Sequence, residues 1–116
     1  MPGSPIVHFE FHGRDREKLQ DFYTTLFGWQ AEAPPGMEYA LIRETGTGGI
    51  GGGIAGRPEG PMVVIYMQVP DLDATIKQAE ALGGKLLMPP SEVPGGPTIA
   101  MFADPEGNPV GLVKGG

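Results

Sequence analysis

The stretch Asp15–Gly28, with the sequence DREKLQDFYTTLFG, returns in outline at Asp71–Gly84, with the sequence DLDATIKQAEALGG. Three positions repeat at a constant distance of 56 residues, so that Asp15, Leu26 and Gly28 correspond to Asp71, Leu82 and Gly84. In both copies an apolar-rich run precedes the aspartate, and a helix-like pattern follows it. Self-similarity at a fixed distance is the signature of a duplicated architecture. We therefore interpret the chain as two copies of one unit.

Each copy predicts one strand, one helix and three further strands. Asp15 and Asp71 are placed to cap the helices, and the glycines at residues 28 and 83–84 are placed to end them. Apolar residues at helical spacing in the first helix predict a buried stripe formed by Leu19, Phe22, Tyr23, Leu26 and Phe27. In the second copy, Lys85–Met88 begins a strand that Pro89 and Pro90 are expected to close.

The predicted fold is therefore α+β, with two βαβββ modules that form a cupped mixed sheet. Residues 1–116 are expected to form a single domain. Module one covers about residues 5–56 and module two about residues 62–115, with a linker at about residues 57–61.

Composition excludes several classes of function. The formal net charge is −6 and no basic run exists, which argues against nucleic acid as a partner. No apolar run has the length of a membrane span, so no membrane partner is expected. The chain contains no cysteine, which excludes a disulfide framework and a zinc–thiolate site. With no signal-peptide pattern at residues 1–5, the expected location is the cytoplasm.

The order of the predicted elements, together with four motifs, resembles the vicinal oxygen chelate superfamily. These motifs are Phe22-Tyr23, Leu26-Phe27-Gly28-Trp29, Val69-Pro70-Asp71-Leu72-Asp73 and Asp104-Pro105-Glu106-Gly107-Asn108. The superfamily includes lactoylglutathione lyase, bleomycin-resistance proteins and extradiol dioxygenases. The resemblance covers nearly the whole chain and implies a single glyoxalase-like domain that pairs as a homodimer. It does not specify a reaction, because one fold hosts many activities.

Enzymes of this superfamily usually hold one divalent metal through His, Glu or Gln on the first and last strands of each module. His8 matches the first of these positions. The other three positions correspond to Val64, to Gly111 and to the run Ile50–Ile54, which offers no donor side chain. A divalent ion needs several nitrogen or oxygen donors. We therefore predict no metal ligand set and no cofactor, with His8 as the single matching position.

The resemblance and the strand pattern together give five candidate ligand-binding residues: His8, Glu10, Tyr39, Tyr66 and Gln68. Glu10 is also a candidate general base for a proton next to a carbonyl group. Each residue has a structural alternative. His8 can hydrogen-bond a neighbour, Glu10 can be solvated or paired with a cation, and the other three can fill the sheet surface.

The run Gly51–Gly56 formally matches the dinucleotide fingerprint. That fingerprint binds a pyrophosphate only where it joins a strand to the start of a helix. Here Arg57 and Pro58 follow instead, so we do not interpret the run as a nucleotide site. The glycines are expected to let the strand curve, or to admit a ligand or partner close to the backbone.

The sequence thus predicts a glyoxalase/bleomycin-resistance-like protein that binds an unidentified small molecule without a metal. One alternative is a metal-dependent lyase, isomerase or dioxygenase that resembles lactoylglutathione lyase. A second alternative is an interaction or accessory module with no small-molecule ligand.

Overall fold

The computed structural model describes residues 3–43, 46 and 48–116, and it divides into two compact units. The first unit comprises His8–Val63. The second comprises Val64–Gly116 together with the N-terminal residues up to Val7. The backbone amide of Gln68 donates to the carbonyl oxygen of Pro5 at 2.9 Å, which ties the N-terminal segment to the second unit.

The first module contains one helix and four strands. In chain order these are β1 (Ile6–Gly13), α1 (Arg16–Phe27), β2 (Ala31–Glu32), β3 (Tyr39–Ile42) and β4 (Gly52–Gly56). The strands lie in the order β2-β3-β4-β1, with β1 and β4 parallel and the other neighbours antiparallel. The register places Glu10 opposite Gly53 and Tyr39 opposite Ala55.

The second module repeats this order. Its elements are β5 (Met62–Val69), α2 (Leu72–Ala81), β6 (Lys85–Glu92), β7 (Thr98–Ala103) and β8 (Pro109–Lys114). The strands lie in the order β5-β8-β7-β6, with β5 and β8 parallel and the other neighbours antiparallel. The α+β class and the two βαβββ modules predicted from the sequence are confirmed.

Both predicted helix caps are present. The Asp15 carboxylate accepts from the Lys18 amide at 3.1 Å, and the Asp71 carboxylate accepts from the Ala74 amide at 3.0 Å. Gly28 ends α1 in the left-handed region at φ 71°, where glycine is preferred. These caps satisfy helix amides that would otherwise lack partners. Neither helix of the described residues combines the length and the apolar content that a bilayer crossing requires.

Each unit has its own apolar core. In the first unit, the buried residues Ala40, Ile42 and Ile54 are covered by partly buried side chains, namely Phe9, Phe11, Leu19, Tyr23, Trp29 and Ala31. In the second unit, the core consists of Val69, Leu72, Ile76, Ala100 and Leu112, covered by Met67, Leu86 and Phe102. Burial of these side chains supplies most of the driving force for each unit.

The predicted buried stripe on α1 is only partly correct. Leu19 and Tyr23 pack into the core, but Phe22, Leu26 and Phe27 are 57%, 59% and 57% exposed. Helical spacing identified an apolar face wider than the sheet beneath it can cover. The outer edge of that face therefore remains in contact with solvent.

The prediction that Pro89 and Pro90 close the sixth strand is wrong. β6 continues through both prolines to Glu92, with register shifts between Leu86 and Met88 and between Met88 and Ser91. β6 lies at the end of the strand order, where it pairs with β7 alone among the described strands. Proline is tolerated on an edge strand because one side of the backbone needs no ladder hydrogen bond.

Candidate functional site

The first strand carries three polar side chains on the face opposite the core. His8, Glu10 and His12 alternate along β1 with Phe9 and Phe11, and both phenylalanines pack into the core of the first unit. Successive side chains of a strand point to opposite faces. His8, Glu10 and His12 therefore share the face opposite the two phenylalanines.

The polar side chains of this face form one hydrogen-bonded network with Tyr39 of β3. The Tyr39 hydroxyl donates to Glu10 Oε2 at 3.0 Å, and its oxygen lies 2.7 Å from His8 Nε2. On the other side of the carboxylate, His12 Nε2 lies 3.0 Å from Glu10 Oε1. Glu10 is thus held between a tyrosine hydroxyl and an imidazole. We refer to His8, Glu10, His12 and Tyr39 as the β1–β3 network.

If Glu10 is ionised, these contacts are satisfied by one arrangement of hydrogens. An ionised carboxylate only accepts, so the single hydroxyl hydrogen of Tyr39 is directed at Glu10. The contact between Tyr39 and His8 then needs a hydrogen on His8 Nε2. By the same reasoning, His12 Nε2 carries the hydrogen that it shares with Glu10. Both imidazoles are therefore oriented with Nε2 toward the network.

The side chains of the network are largely buried, but they are not completely excluded from solvent. The side chains of Glu10 and His12 are 12% and 14% exposed, and that of His8 is 25% exposed. Charge-assisted hydrogen bonds are stronger where water is largely excluded. A ligand can therefore reach the His8 end of a polar group that the fold already holds in place.

Tyr39 reaches this position because residue 53 is a glycine. A Cβ atom at Gly53 would lie well under 3.0 Å from the hydroxyl and ring atoms of Tyr39. Real Cβ atoms essentially never approach other atoms so closely. Any side chain at this position would displace the tyrosine from Glu10. Gly53 is therefore part of the site, although it contributes no functional group.

Two other glycines of β4 also leave room for a neighbouring side chain. A Cβ atom at Gly52 would overlap the ring of Phe9 on the core face, and one at Gly56 would lie 2.7 Å from a Glu38 carboxylate oxygen. Neighbouring side chains thus occupy the space beside this glycine-rich strand. The groups that lie close to the β4 backbone are thus side chains of the same chain. β4 leads to a turn and not to a helix.

The other two predicted ligand-binding residues, Tyr66 and Gln68, lie in the second unit. Tyr66 is 4% exposed, and its ring covers Gly111, which is its register partner on β8. Gln68 is half-buried, and its side-chain amide lies beside Gly115. His8, Glu10 and Tyr39 are brought together in one network of the first unit.

Two members of this site are not among the predicted site residues. The alternation of β1 does place His12 on the face of His8 and Glu10, but it does not distinguish His12 as a site residue. Gly53 gave no signal, because its importance depends on a tyrosine that is distant in sequence and adjacent only in the folded sheet.

Residues 8–113 match the family described as glyoxalase-like domain. The chain belongs to the glyoxalase-like family. Membership of the vicinal oxygen chelate superfamily, predicted from the motifs, is thereby confirmed. Among curated relatives, the anthracycline biosynthesis protein DnrV of Streptomyces peucetius is 31% identical over 132 aligned residues. The match includes 91% of this glyoxalase-like chain and 45% of DnrV, so the chain spans less than half of that relative.

Solved structures show the same fold at low sequence identity. A methylmalonyl-CoA epimerase of Streptomyces coelicolor superposes with a TM-score of 0.67 at 17% identity, with 96% of each chain covered. The Mn(II)-bound glyoxalase from Novosphingobium aromaticivorans gives a TM-score of 0.72 at 19% identity, with 96% of this chain and 38% of that chain covered. At these identities the likeness extends to the fold alone.

In this glyoxalase-like protein, the positions that the superfamily uses for metal ligands are occupied differently. Val64 is 1% exposed and apolar, and the space beside Gly111 is filled by the Tyr66 ring. The space beside Gly53 is filled by Tyr39. Within residues 3–43, 46 and 48–116, no three His, Asp or Glu side chains are grouped so that they could hold an ion. Of the positions that the superfamily uses for metal ligands, His8 is therefore the one that carries a donor side chain.

Proposed function

We propose that this protein is a metal-independent small-molecule binder of the glyoxalase-like family, and that the β1–β3 network is its polar anchor. The observation that carries this proposal is the position of Tyr39. Its hydroxyl stands where a side chain at residue 53 would project, and it engages both His8 and Glu10. The one residue that matches a superfamily metal ligand is thus already committed to a hydrogen-bonded network.

The second unit supports the same interpretation. Gly111 stands where the superfamily normally carries a glutamate, and the Tyr66 ring lies over it. Restoring a glutamate at residue 111 would force Tyr66 to move. In each unit, a tyrosine side chain therefore occupies the space that a metal-coordinating side chain would need.

The chemistry of the network favours a ligand with hydrogen-bonding groups. It offers imidazole and hydroxyl groups beside one carboxylate, on a strand whose opposite face is anchored in the core. Binding sites usually combine apolar surface with a few polar groups fixed in this way. Tyr66 and Gln68, which lie in the second unit, stay predicted ligand-binding residues.

The names of the relatives suggest which compounds to test first. DnrV is named for anthracycline biosynthesis, and one structural neighbour is an epimerase of methylmalonyl-CoA. An anthracycline, an acyl-CoA ester and a hemithioacetal therefore belong in the first panel. Each would be tested by thermal shift in the presence of a chelator.

The variant that tests the site most selectively is Glu10→Gln, with Glu32→Gln as its matched control. Glu32 also lies in the first unit and also accepts side-chain hydrogen bonds, from Arg43 at 2.7 Å, but it is exposed. A compound that stabilises the wild type should lose its effect with Glu10→Gln and with Tyr39→Phe. It should keep its effect with Glu32→Gln. Stabilisation that needs an added divalent ion, or that survives both network variants, would refute the proposal.

The Mn(II)-bound glyoxalase among the structural neighbours is the observation that favours the alternative of a metal-dependent enzyme. That alternative requires a rebuilt ligand set around His8 and Glu10. Turnover of hemithioacetal or catechol substrates that appears with added Mn, Ni, Zn or Fe and disappears with His8→Ala would establish it. Such a result would replace the binder proposal.

We infer further that the protein works as a homodimer in the cytoplasm. Phe22, Leu26 and Phe27 leave an apolar surface on α1 that a partner can cover, and the chain has no cysteine to oxidise. Light scattering during gel filtration should give twice the chain mass. A monomer over the whole concentration range would contradict this inference.

A further inference from the structure

A concave site lies entirely within the second unit and is lined by no residue of the β1–β3 network. It is a groove of about 310 Å³ between α2, the end of β7 and the turn that follows. Its lining is formed by Thr75, Gln78, Ala79, Leu82, Phe102 and Pro105, together with Gly84. The volume is at the lower limit of the range usual for small-molecule sites, about 300–1,000 Å³.

The internal repeat explains why this groove exists. Ala79 of α2 corresponds to Tyr23 of α1, 56 residues earlier. In the first unit, the Tyr23 ring stacks on Phe11 with centroids 4.4 Å apart and lies 5.7 Å from the Trp29 ring. In the second unit, a methyl group stands in place of this ring. The groove therefore borders the position at which the other module carries an aromatic side chain.

The walls of the groove suit an aromatic ring with a polar edge. Phe102 packs against the core of the second unit and offers an aromatic surface, while Leu82 stands 72% exposed at the rim. Aromatic pairs gain stacking or edge contacts in addition to the burial of area. Thr75 and Gln78 supply polar atoms at the helix side of the groove, where a hydroxyl on the ring can form hydrogen bonds.

We propose that this groove is a binding site for small phenols, with one aromatic ring seated over Ala79 as Tyr23 is seated in the first unit. The site uses no residue of the β1–β3 network, so the proposal stands independently of the function assigned to that network. A single ring has few contacting atoms, and affinity in the millimolar range is expected.

The probe is p-cresol, which has the structure of a tyrosine side chain, titrated into uniformly ¹⁵N-labelled protein. Amide shifts are expected at Thr75, Gln78, Ala79 and Leu82, and not at His8 or Glu10. Cyclohexanol, a hydroxylated ring without aromatic character, is expected to cause markedly smaller shifts. Equal responses to the two compounds would overturn the aromatic specificity.

The variant Ala79→Tyr would fill the groove from within the chain. It should raise the thermal midpoint by a few degrees, as cavity-filling substitutions commonly do, and abolish the p-cresol shifts. Ala74→Tyr, at an exposed position of α2 outside the groove, is the matched control and should keep them.

A second variant tests the proposal independently, in case Ala79→Tyr does not fold. Leu82→Ala removes one exposed wall, which the fold does not need, and should weaken p-cresol binding about threefold or more. The proposal is overturned if p-cresol binds Ala79→Tyr or Leu82→Ala as it binds the wild type. It is also overturned if the groove amides shift with protein concentration alone, because a second copy of the chain would then occupy the site.

Discussion

The Tyr39 hydroxyl lies in the space that a side chain at Gly53 would occupy, and from there it donates to Glu10 at 3.0 Å. Gly53 is also the register partner of Glu10 on the neighbouring parallel strand. A residue without a side chain thus fixes the geometry of the polar group beside it. Substitutions at residue 53 should therefore affect the network before they affect the rest of the fold.

Gly53→Ala is expected to displace Tyr39 and to lower the free energy of unfolding by about 1–3 kcal/mol, the usual cost of overpacking. The displacement should change the imidazole nitrogen resonances of His8, which are easy to assign because the chain has two histidines. In a Tyr39→Ala background the same glycine substitution should cost much less. Additive effects of the two substitutions would show that Gly53 and Tyr39 are not in contact.

Gly52→Ala is the matched control for this prediction, since its Cβ atom would overlap Phe9 on the opposite face of β4. Phe9 lies 5.4 Å from Trp29, the single tryptophan of the chain. Gly52→Ala should therefore change tryptophan fluorescence and leave the histidine resonances nearly unchanged. Gly53→Ala should change the histidine resonances and leave the tryptophan fluorescence nearly unchanged. Identical spectral changes in both variants would mean that the two faces of β4 are not separate.

Tyr39→Phe is expected to remove the hydroxyl that contacts both His8 and Glu10, whose side chains lie 3.6 Å apart, and to keep the contact between His12 and Glu10. Loss of hydrogen bonds to a carboxylate should lower the free energy of unfolding by about 1–3 kcal/mol, measured by urea denaturation. The resonances of His8 should move and those of His12 should move little. A larger change at His12 than at His8 would contradict the described geometry.

Arg16→Met is expected to leave the free energy of unfolding within about 1 kcal/mol of the wild type, or to raise it. The Arg16 side chain is 9% exposed, and its Nε has no hydrogen-bond partner. Its nearest carboxylates, Glu38 at 3.7 Å and Glu17 at 3.8 Å, are 77% and 84% exposed, so their attraction is strongly screened. A loss of more than about 2 kcal/mol in urea denaturation would show that these ion pairs matter more than the unsatisfied donor.

The hydrogen bonds of Asp104, in the last turn, predict that the free energy of unfolding depends on pH. The side-chain amide of Asn108, followed by the backbone amides of Asn108, Glu106 and Gly107, holds the pKa of Asp104 below its usual value of 3.8. Because the pKa is lower in the folded state, the stabilisation is complete above the unfolded pKa and is lost as pH falls through the folded pKa.

The measurement is the urea midpoint of wild type and Asp104→Asn from neutral pH down to about pH 3. The two proteins should differ most at neutral pH and converge in acid. Asp104 is fully exposed, so the difference is expected to be small. A gap that widens as pH falls would have the wrong sign for this explanation.

Features that depend on neighbours in sequence could be predicted. The caps at Asp15 and Asp71 and the helix end at Gly28 require only residues a few positions away. The alternation of β1 placed His8 and Glu10 correctly on one face for the same reason. The duplication then supplied the order of elements in each module.

Features that depend on the sheet could not be predicted. The length of β6 followed from its edge position, which tolerates Pro89 and Pro90, and edge position is a property of topology. The exposure of Phe22, Leu26 and Phe27 followed from the limited area that the sheet beneath α1 covers. The seating of Tyr39 over Gly53 required the register of β3 and β4, which no local pattern specifies.

The metal content of the purified protein tests the central claim most directly. The protein would be incubated with Mn, Ni, Zn or Fe, dialysed against metal-free buffer and analysed for bound metal per chain. The account predicts far less than one equivalent, and no difference between the wild type and His8→Ala. One equivalent of a divalent ion retained by the wild type and lost in His8→Ala would contradict it.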